Sequence, residues 1–331
     1  MKTTVSLFTV LACLLAFYSC TKTEEKHIPQ SGDVQSVEIS LSADEHPELN
    51  FEFSGEERAV QGFSVDDGNV YILQSDGVVF RYNRDGTLEE QYDLKLADSG
   101  LTAFRISCGN GNMYLLDGHN NAVITAKENQ VTNVSTLGFS DVGVVKNYCV
   151  ADDGTPLLSF FDFDGPYTAK IDPTGDEVKI VGEKTPGYLI DRNATYLPEI
   201  TESEEGLALV TVTVYKQGES SEQFVIGSNF PDRSMAGLSV YDLDGDTLIG
   251  LLHEFVNTDD GEQYVQTMVA INTKNGKIQV SGSHFDGDEI FELSSSGTYC
   301  MKLSDNTLSI KPVRAYFTDW EESDLYFLQT K

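Results

Sequence analysis

Five histidines, a few cysteines and a series of aspartate-rich turns are the groups in this sequence that could do chemistry. His27, His46, His119, His253 and His284 are scattered singly along the chain. No H-E-x-x-H is present to set two metal ligands on one helix face. Nor is there a G-x-S-x-G turn to expose a nucleophile, or a Walker loop to cradle phosphate. The stretch CGNGN (108–112) is glycine-rich. It lies between two short apolar runs and opens no helix, so it reads as a hairpin turn and not as an anion cradle.

The acidic turns fail as calcium loops for a definable reason. DLDGDTLIGLLH supplies Asp242, Asp244 and Asp246 at alternate positions, but Thr247 and His253 stand where an EF-hand needs glycine and a bidentate glutamate. Asp162 and Asp164 lack a further acidic ligand at useful spacing, and HFDGDE holds His284, Asp286, Asp288 and Glu289. All are read as turns capped by their own side chains. Cys108 and Cys149 fall near the ends of equivalent strands in adjacent units, which would allow a disulfide in an oxidising compartment. With Cys300 they are three thiols, which cannot all pair within one chain, and they are read as small buried hydrophobes. The reading therefore assigns no catalytic residue, no metal ligand and no cofactor.

The elements that would position any site come next. The chain has 331 residues, of which 22 are basic and 53 acidic, giving a net charge of −31. Such a surface repels phosphate backbones, which argues against nucleic acid as a partner. Apolar residues make up 40% and mean hydropathy is −0.23, enough for a core without a set of membrane helices.

Residues 1–19 have the layout of an export signal, with Lys2 ahead of an apolar run too short to cross a bilayer as a helix. Cutting before Cys13 would leave apolar residues on the mature terminus. Cutting before Cys20 leaves a polar one, so Cys20 is favoured. Ser19 followed by Cys20 resembles the end of a bacterial lipoprotein signal, although Phe17 stands where an aliphatic residue is usual. Thr21, Lys22, Thr23, Glu24 and Glu25 look like the sorting tag of Bacteroidetes surface lipoproteins. The resemblance implies acylation of Cys20, a flexible tether over 20–34 and an outer-membrane, surface-exposed location.

From residue 35 to 331 the sequence repeats. Six segments share a short strand, a polar turn ending in glycine, and an apolar strand. They are GFSVDDGNVYIL, RISCGNGNMYLL, YCVADDGTPLLSF, EITESEEGLALVTV, SVYDLDGDTLIGLL and FELSSSGTYCMKL. Their glycines, Gly68, Gly111, Gly154, Gly206, Gly245 and Gly297, recur about every 46 residues, the period of a four-stranded propeller blade at ~40–50. The expected fold is all-β, a six-bladed propeller, because a lone four-stranded sheet cannot bury both its faces and radial stacking does so. Six recurring turns argue against one sandwich, and the period is long for a β-helix.

The fourth unit is irregular. In the sixth, IFEL, TYCMKL and TLSIKPVRAYF could be completed by DLYFLQT, or the outer strand could come from SVEISLS (36–42) or LNFEFSG (49–55). The strand-DxG-strand pattern resembles Bacteroidetes lipoproteins with TolB-like or NHL-like six-bladed propellers, and that resemblance transfers no functional residue.

Five loops should share one face around the axial channel, at 117–121, 161–167, 183–198, 253–264 and 282–287. They bring His119, Asn120, Phe163, Tyr167, Tyr188, Arg192, Tyr196, His253, Tyr264 and His284 into one candidate site. Aromatic rings beside amides and hydroxyls suit sugar rings or peptide side chains. The expected role is a non-catalytic binding or interaction module taking a glycan or an outer-membrane protein partner. The alternative is a hydrolase, lactonase or lyase with a metal in the channel.

Overall fold

A computed structural model describes residues 36–51, 53–54, 57–141, 145–162, 164–216, 221–228, 230, 232–258, 261–282, 289–294, 297–304 and 306–330. Cys20 and the boundaries proposed for the signal and tether fall outside them, as do Phe163 and His284. The described chain forms an all-β, six-bladed propeller of antiparallel blades.

Blade 1 is Val60–Asp66, Asn69–Gln74, Val78–Tyr82 and Leu88–Asp93. Blade 2 is Arg105–Gly109, Asn112–Asp117, Ala122–Lys127 and Gln130–Thr136. Blade 3 is Tyr148–Val150, Pro156–Asp162, Gly165–Asp172 and Lys179–Pro186. In these three the sheet order follows the sequence. We call the side on which inner strands begin the upper face. It also carries the hairpins joining second to third strands.

Blade 4 corrects the sequence reading. Its inner strand is the two-residue Tyr188–Leu189, followed by Ala194–Glu202, Ala208–Lys216 and Glu222–Ser228. The Gly206 turn is therefore the second hairpin of its blade and not the first. The inner strand is too short to give a strand signal of its own. Blade 5 has long strands, Arg233–Asp244, Thr247–Thr258 and Gly261–Asn272, then Ile278–Ser281.

Blade 6 holds Ile290–Ser294, Gly297–Ser304 and Thr307–Pro312, and Ile39–Ser42 from the start of the described chain completes it. Of the closures open to the sequence, this is the SVEISLS one. From the other N-terminal candidate, Phe53–Ser54 forms a strand in a small hairpin with Glu57–Arg58.

DLYFLQT does not complete blade 6. Leu325–Thr330 pairs with Glu222–Ser228 on the outer edge of blade 4, and Trp320–Glu322 pairs with Ile278–Ser281 on that of blade 5. The physical reason is that Ile39–Ser42 already occupies the blade 6 edge, while blades 4 and 5 would otherwise show unpaired N–H and C=O groups.

All six turn glycines have positive φ, from 55° to 118°, where a Cβ would be strained. Strand phase then fixes the core. In blade 2 the inner and second strands are buried on both faces, whereas outer strands such as Leu88–Asp93 are mostly exposed. Apolar clusters form between neighbouring blades. Ile39, Leu41, Phe63, Tyr82 and Ile310 join blades 6 and 1, and Tyr196, Val212, Leu238 and Leu252 join blades 4 and 5. Between blades 5 and 6 the rings of Tyr241 and Phe291 stack 4.2 Å apart, and buried Phe317 lies 6.3 Å from Phe291. Each fully buried Leu or Phe contributes roughly 1.5–3 kcal/mol by leaving water.

Candidate functional site at the mouth of the channel

The inner strands bring charged groups from distant parts of the chain to the axis. Arg105 opens the inner strand of blade 2, and Glu292 lies in that of blade 6. The Arg105 Nε donates to Glu292 Oε1 at 2.9 Å and Nη2 to Oε2 at 2.5 Å. Nη1 donates to the carbonyls of Val145 and Lys146 at 3.0 and 2.9 Å, so one guanidinium ties together three blades. The two side chains are only 13% and 5% exposed, and the bidentate geometry compensates for their desolvation. Burial pushes the Glu292 carboxyl up, with Arg105 opposing the shift. Cys149, Ala151 and Leu157 of blade 3 cluster with Leu189 of blade 4 and Leu293 of blade 6, so blades 3 and 6 meet across the axis. The opening is thus a cup with an apolar plug.

At the upper rim Lys146 of blade 3 reaches Ser239 of blade 5, its Nζ donating to the serine Oγ at 3.1 Å. On the way it passes over the Tyr188 ring of blade 4, at 4.9 Å from the centroid. Burial lowers the Lys146 pKa and raises that of Tyr188. Among the described residues no carboxylate forms an ion pair with Lys146.

Ser239 Oγ is also 3.1 Å from His253 Nε2. His253 Nδ1 lies 2.5 Å from the Tyr264 hydroxyl and 3.2 Å from Gln266 Nε2. An amide N–H can only donate, so Nδ1 accepts, and the proton of the neutral ring sits on Nε2 facing Ser239. In that tautomer His253 Nε2 donates to Ser239 and cannot take its proton. Burial, and then the nearby Lys146 charge, hold the His253 pKa below its usual value. Tyr264 stacks on His253 with ring centroids 5.9 Å apart at 18°. Phe255, opposite Tyr264 across the hairpin, lies 5.5 Å from it. Tyr264 and Phe255 are 54% and 38% exposed. The long strands of blade 5 make this possible, with Phe255 paired to Ser234 of the inner strand on one side and to Tyr264 on the other.

Of the described residues nominated from sequence, Tyr188, His253 and Tyr264 therefore gather around Lys146, and the other described ones do not. Tyr196 is fully buried beneath Tyr188, with ring centroids 5.8 Å apart, as a core residue. Arg192 follows the inner strand of blade 4 and so reaches the lower face, where it pairs with Asp152 of the first blade 3 turn. Tyr167 holds Lys184 over its ring at 5.3 Å. His119 and Asn120 form the blade 2 hairpin around Asp117, whose buried carboxylate accepts from both backbone N–H groups, from the Asn120 amide at 2.7 Å, and from Thr102. Burial pushes the Asp117 carboxyl up, but the hydrogen bonds from Asn120 and Thr102 outweigh it and hold the pKa below its usual value.

Lys146, Arg105, Glu292, Ser239, Gln266 and Phe255 were missed. A charged residue inside a short apolar inner strand, as in FELS or RISC, is the signal that could have found Glu292 and Arg105. Lys146 carries no comparable mark.

Charges in other polar clusters are paired. A cleft of about 500 Å³ opens between blades 1 and 2 on the lower face, but its Arg81 is paired with Glu89 and Glu90 at 3.2 and 3.3 Å. Asp242 and Asp244, considered above as calcium ligands, are held by Arg314, and Asp246 lies 3.4 Å from Lys274. Among the described residues no three His, Cys, Asp or Glu side chains converge as metal ligands. Cys108, Cys149 and Cys300 are free and buried, and burial pushes the Cys149 thiol up to about 12.

No protein-family model matches the chain, and no curated protein does. Among solved structures it is similar to the WD40 domain of Neurospora crassa Pan2, at 11% identity and a TM-score of 0.41 over 86% of this chain and 97% of that one. It is also similar to apo AztD from Citrobacter koseri, at 12% identity and 0.35 over 85% and 93%. BamB from Moraxella catarrhalis is a further likeness, at 10% identity and 0.33 over 78% and 84%.

Proposed function

We propose that this chain is a non-catalytic binding module. On this reading it is held to the outer membrane by lipid on Cys20, displayed at the cell surface on a short tether, and binds its ligand at the upper mouth of the propeller. The observation that carries the reading is Lys146. Its ammonium is held at the rim by Ser239 and Tyr188, without a carboxylate partner among the described residues, beside the exposed rings of Tyr264 and Phe255. Arg105, Arg81 and Arg314, by contrast, each pair with carboxylates. Here a charge and apolar ring faces are left facing solvent, as in sites where a few polar groups orient a ligand against aromatic walls.

Two experiments test it. Glycan and peptide arrays probed with the intact propeller, and with a Tyr264→Ala/Phe255→Ala double variant, should show binding that the variant loses. A propeller that bound nothing on either array and captured no membrane protein in pull-downs would end the reading. For the anchor, Cys20→Ala should abolish labelling by a radioactive fatty acid and release the protein from membranes.

A further inference from the structure

Building on the binding-module reading, we infer that the mouth takes an acidic sugar, a pyranose bearing a carboxylate, such as a uronic or sialic acid residue. The charge comes first. The chain carries −31 overall, so its general field disfavours anions. Against that background Lys146 is a local exception. An ammonium has three N–H donors. One goes to Ser239 at 3.1 Å, and the Tyr188 ring lies beneath at 4.9 Å. Among the described residues, Arg105 already has its charge met by Glu292, and Arg233, which opens the inner strand of blade 5, lies 3.9 Å from Glu254. Lys146 is the group left to meet an anion, and its low-dielectric walls make such a pair stronger than on open surface.

The walls then select the body to which the anion is attached. His253 and Tyr264 are nearly parallel, and Tyr264 turns more than half of its surface to solvent. A flat exposed ring suits the C–H face of a pyranose. Gln266 Nε2 and the Tyr264 hydroxyl, 3.4 Å apart, lie at the edge of that platform as partners for sugar hydroxyls. Lys146, Ser239, His253 and Tyr264 are joined by successive hydrogen bonds, so charge, platform and edge groups are held in one fixed order.

Calorimetry on the full propeller, with 3′-sialyllactose, trigalacturonate, lactose and tetra-alanine as probes, tests this. At least one acidic sugar should bind and lactose should bind more weakly. Lys146→Met should cut acidic-sugar affinity about ten- to a hundredfold, the range for losing a charged hydrogen bond. Lys146→Arg should restore part of it, and an unchanged thermal midpoint would show that the variants fold. Equal affinity for lactose and 3′-sialyllactose would overturn the inference, as would acidic-sugar binding indifferent to Lys146→Met. Binding of lactose or tetra-alanine alone would overturn it while leaving the binding-module reading standing. Silence from all four probes would overturn it too, and the arrays described above would then decide the broader reading.

Discussion

Blades 1 to 3 are each cut from one uninterrupted run of chain, whereas blades 4, 5 and 6 each take a strand from residues far away in sequence. In the first half every strand pairs with its sequence neighbour across a short turn. In the second, Ile39–Ser42 pairs with Thr307–Pro312, Leu325–Thr330 with Glu222–Ser228, and Trp320–Glu322 with Ile278–Ser281. Local pairing closes small loops at little entropic cost, and the stitched half must close very long ones. The difference teaches that a repeat in sequence does not make the units equivalent. The candidate site follows the same division, because most of its groups lie over blades 4 and 5.

The most severe way to break the comparison is to delete residues 36–42. Blade 6 then has three strands and the seam to blade 1 loses Val37, Ile39 and Leu41, all buried. Cooperative unfolding by denaturant should disappear. Deleting 325–330 instead should leave a closed ring that aggregates in light scattering, because it bares the edge of blade 4.

Next in size is Glu292→Gln, which strands the Arg105 charge and should cost about 3–5 kcal/mol in denaturant titrations. Replacing both partners with apolar residues should recover much of that loss. Leu41→Ala, at a fully buried position, should cost ~2–5 kcal/mol. Leu328→Ser, on the exposed side of the C-terminal strand, should stay within about 0.5 kcal/mol.

The smallest effect is a pH dependence that separates the halves. His253 binds its proton less readily folded than unfolded, so its contribution is complete above the unfolded pKa of ~6.5 and is lost as pH falls toward the folded value. Amide protection factors in blade 5, corrected for the intrinsic exchange rate, should therefore fall between pH 7 and 5, and His253→Gln should remove that response. Asp117 in blade 2 is also depressed, but as a carboxylate. Its contribution is complete above ~3.9 and lost as pH falls through its folded value, so blade 2 should stay protected over the same interval.

What the sequence made legible follows from the same physics. Gly68, Gly111 and Gly154 announce the first three blades because backbone conformation alone demands them. Gly206 was legible as a turn but misplaced by one strand, since the inner strand Tyr188–Leu189 holds only two residues. The C-terminal strand could not be assigned from its own pattern, because any open edge of suitable length satisfies it. In the site, Tyr188, His253 and Tyr264 were found through loop geometry. Arg105 and Glu292 were not, since the partner of each lies 187 residues away.

The N-terminal strand has a consequence for biogenesis. Val37 donates to the Tyr299 hydroxyl at 3.5 Å, and the two are 262 residues apart. As the polypeptide is synthesised from its N-terminal side onward, Ile39–Ser42 emerges early and must wait, with a bare edge, until Thr307–Pro312 arrives. Blades 1 to 3 can settle in the meantime. A holdase that shields that edge would raise the yield of closed rings, and blocking it would send the half-finished molecules into intermolecular pairing.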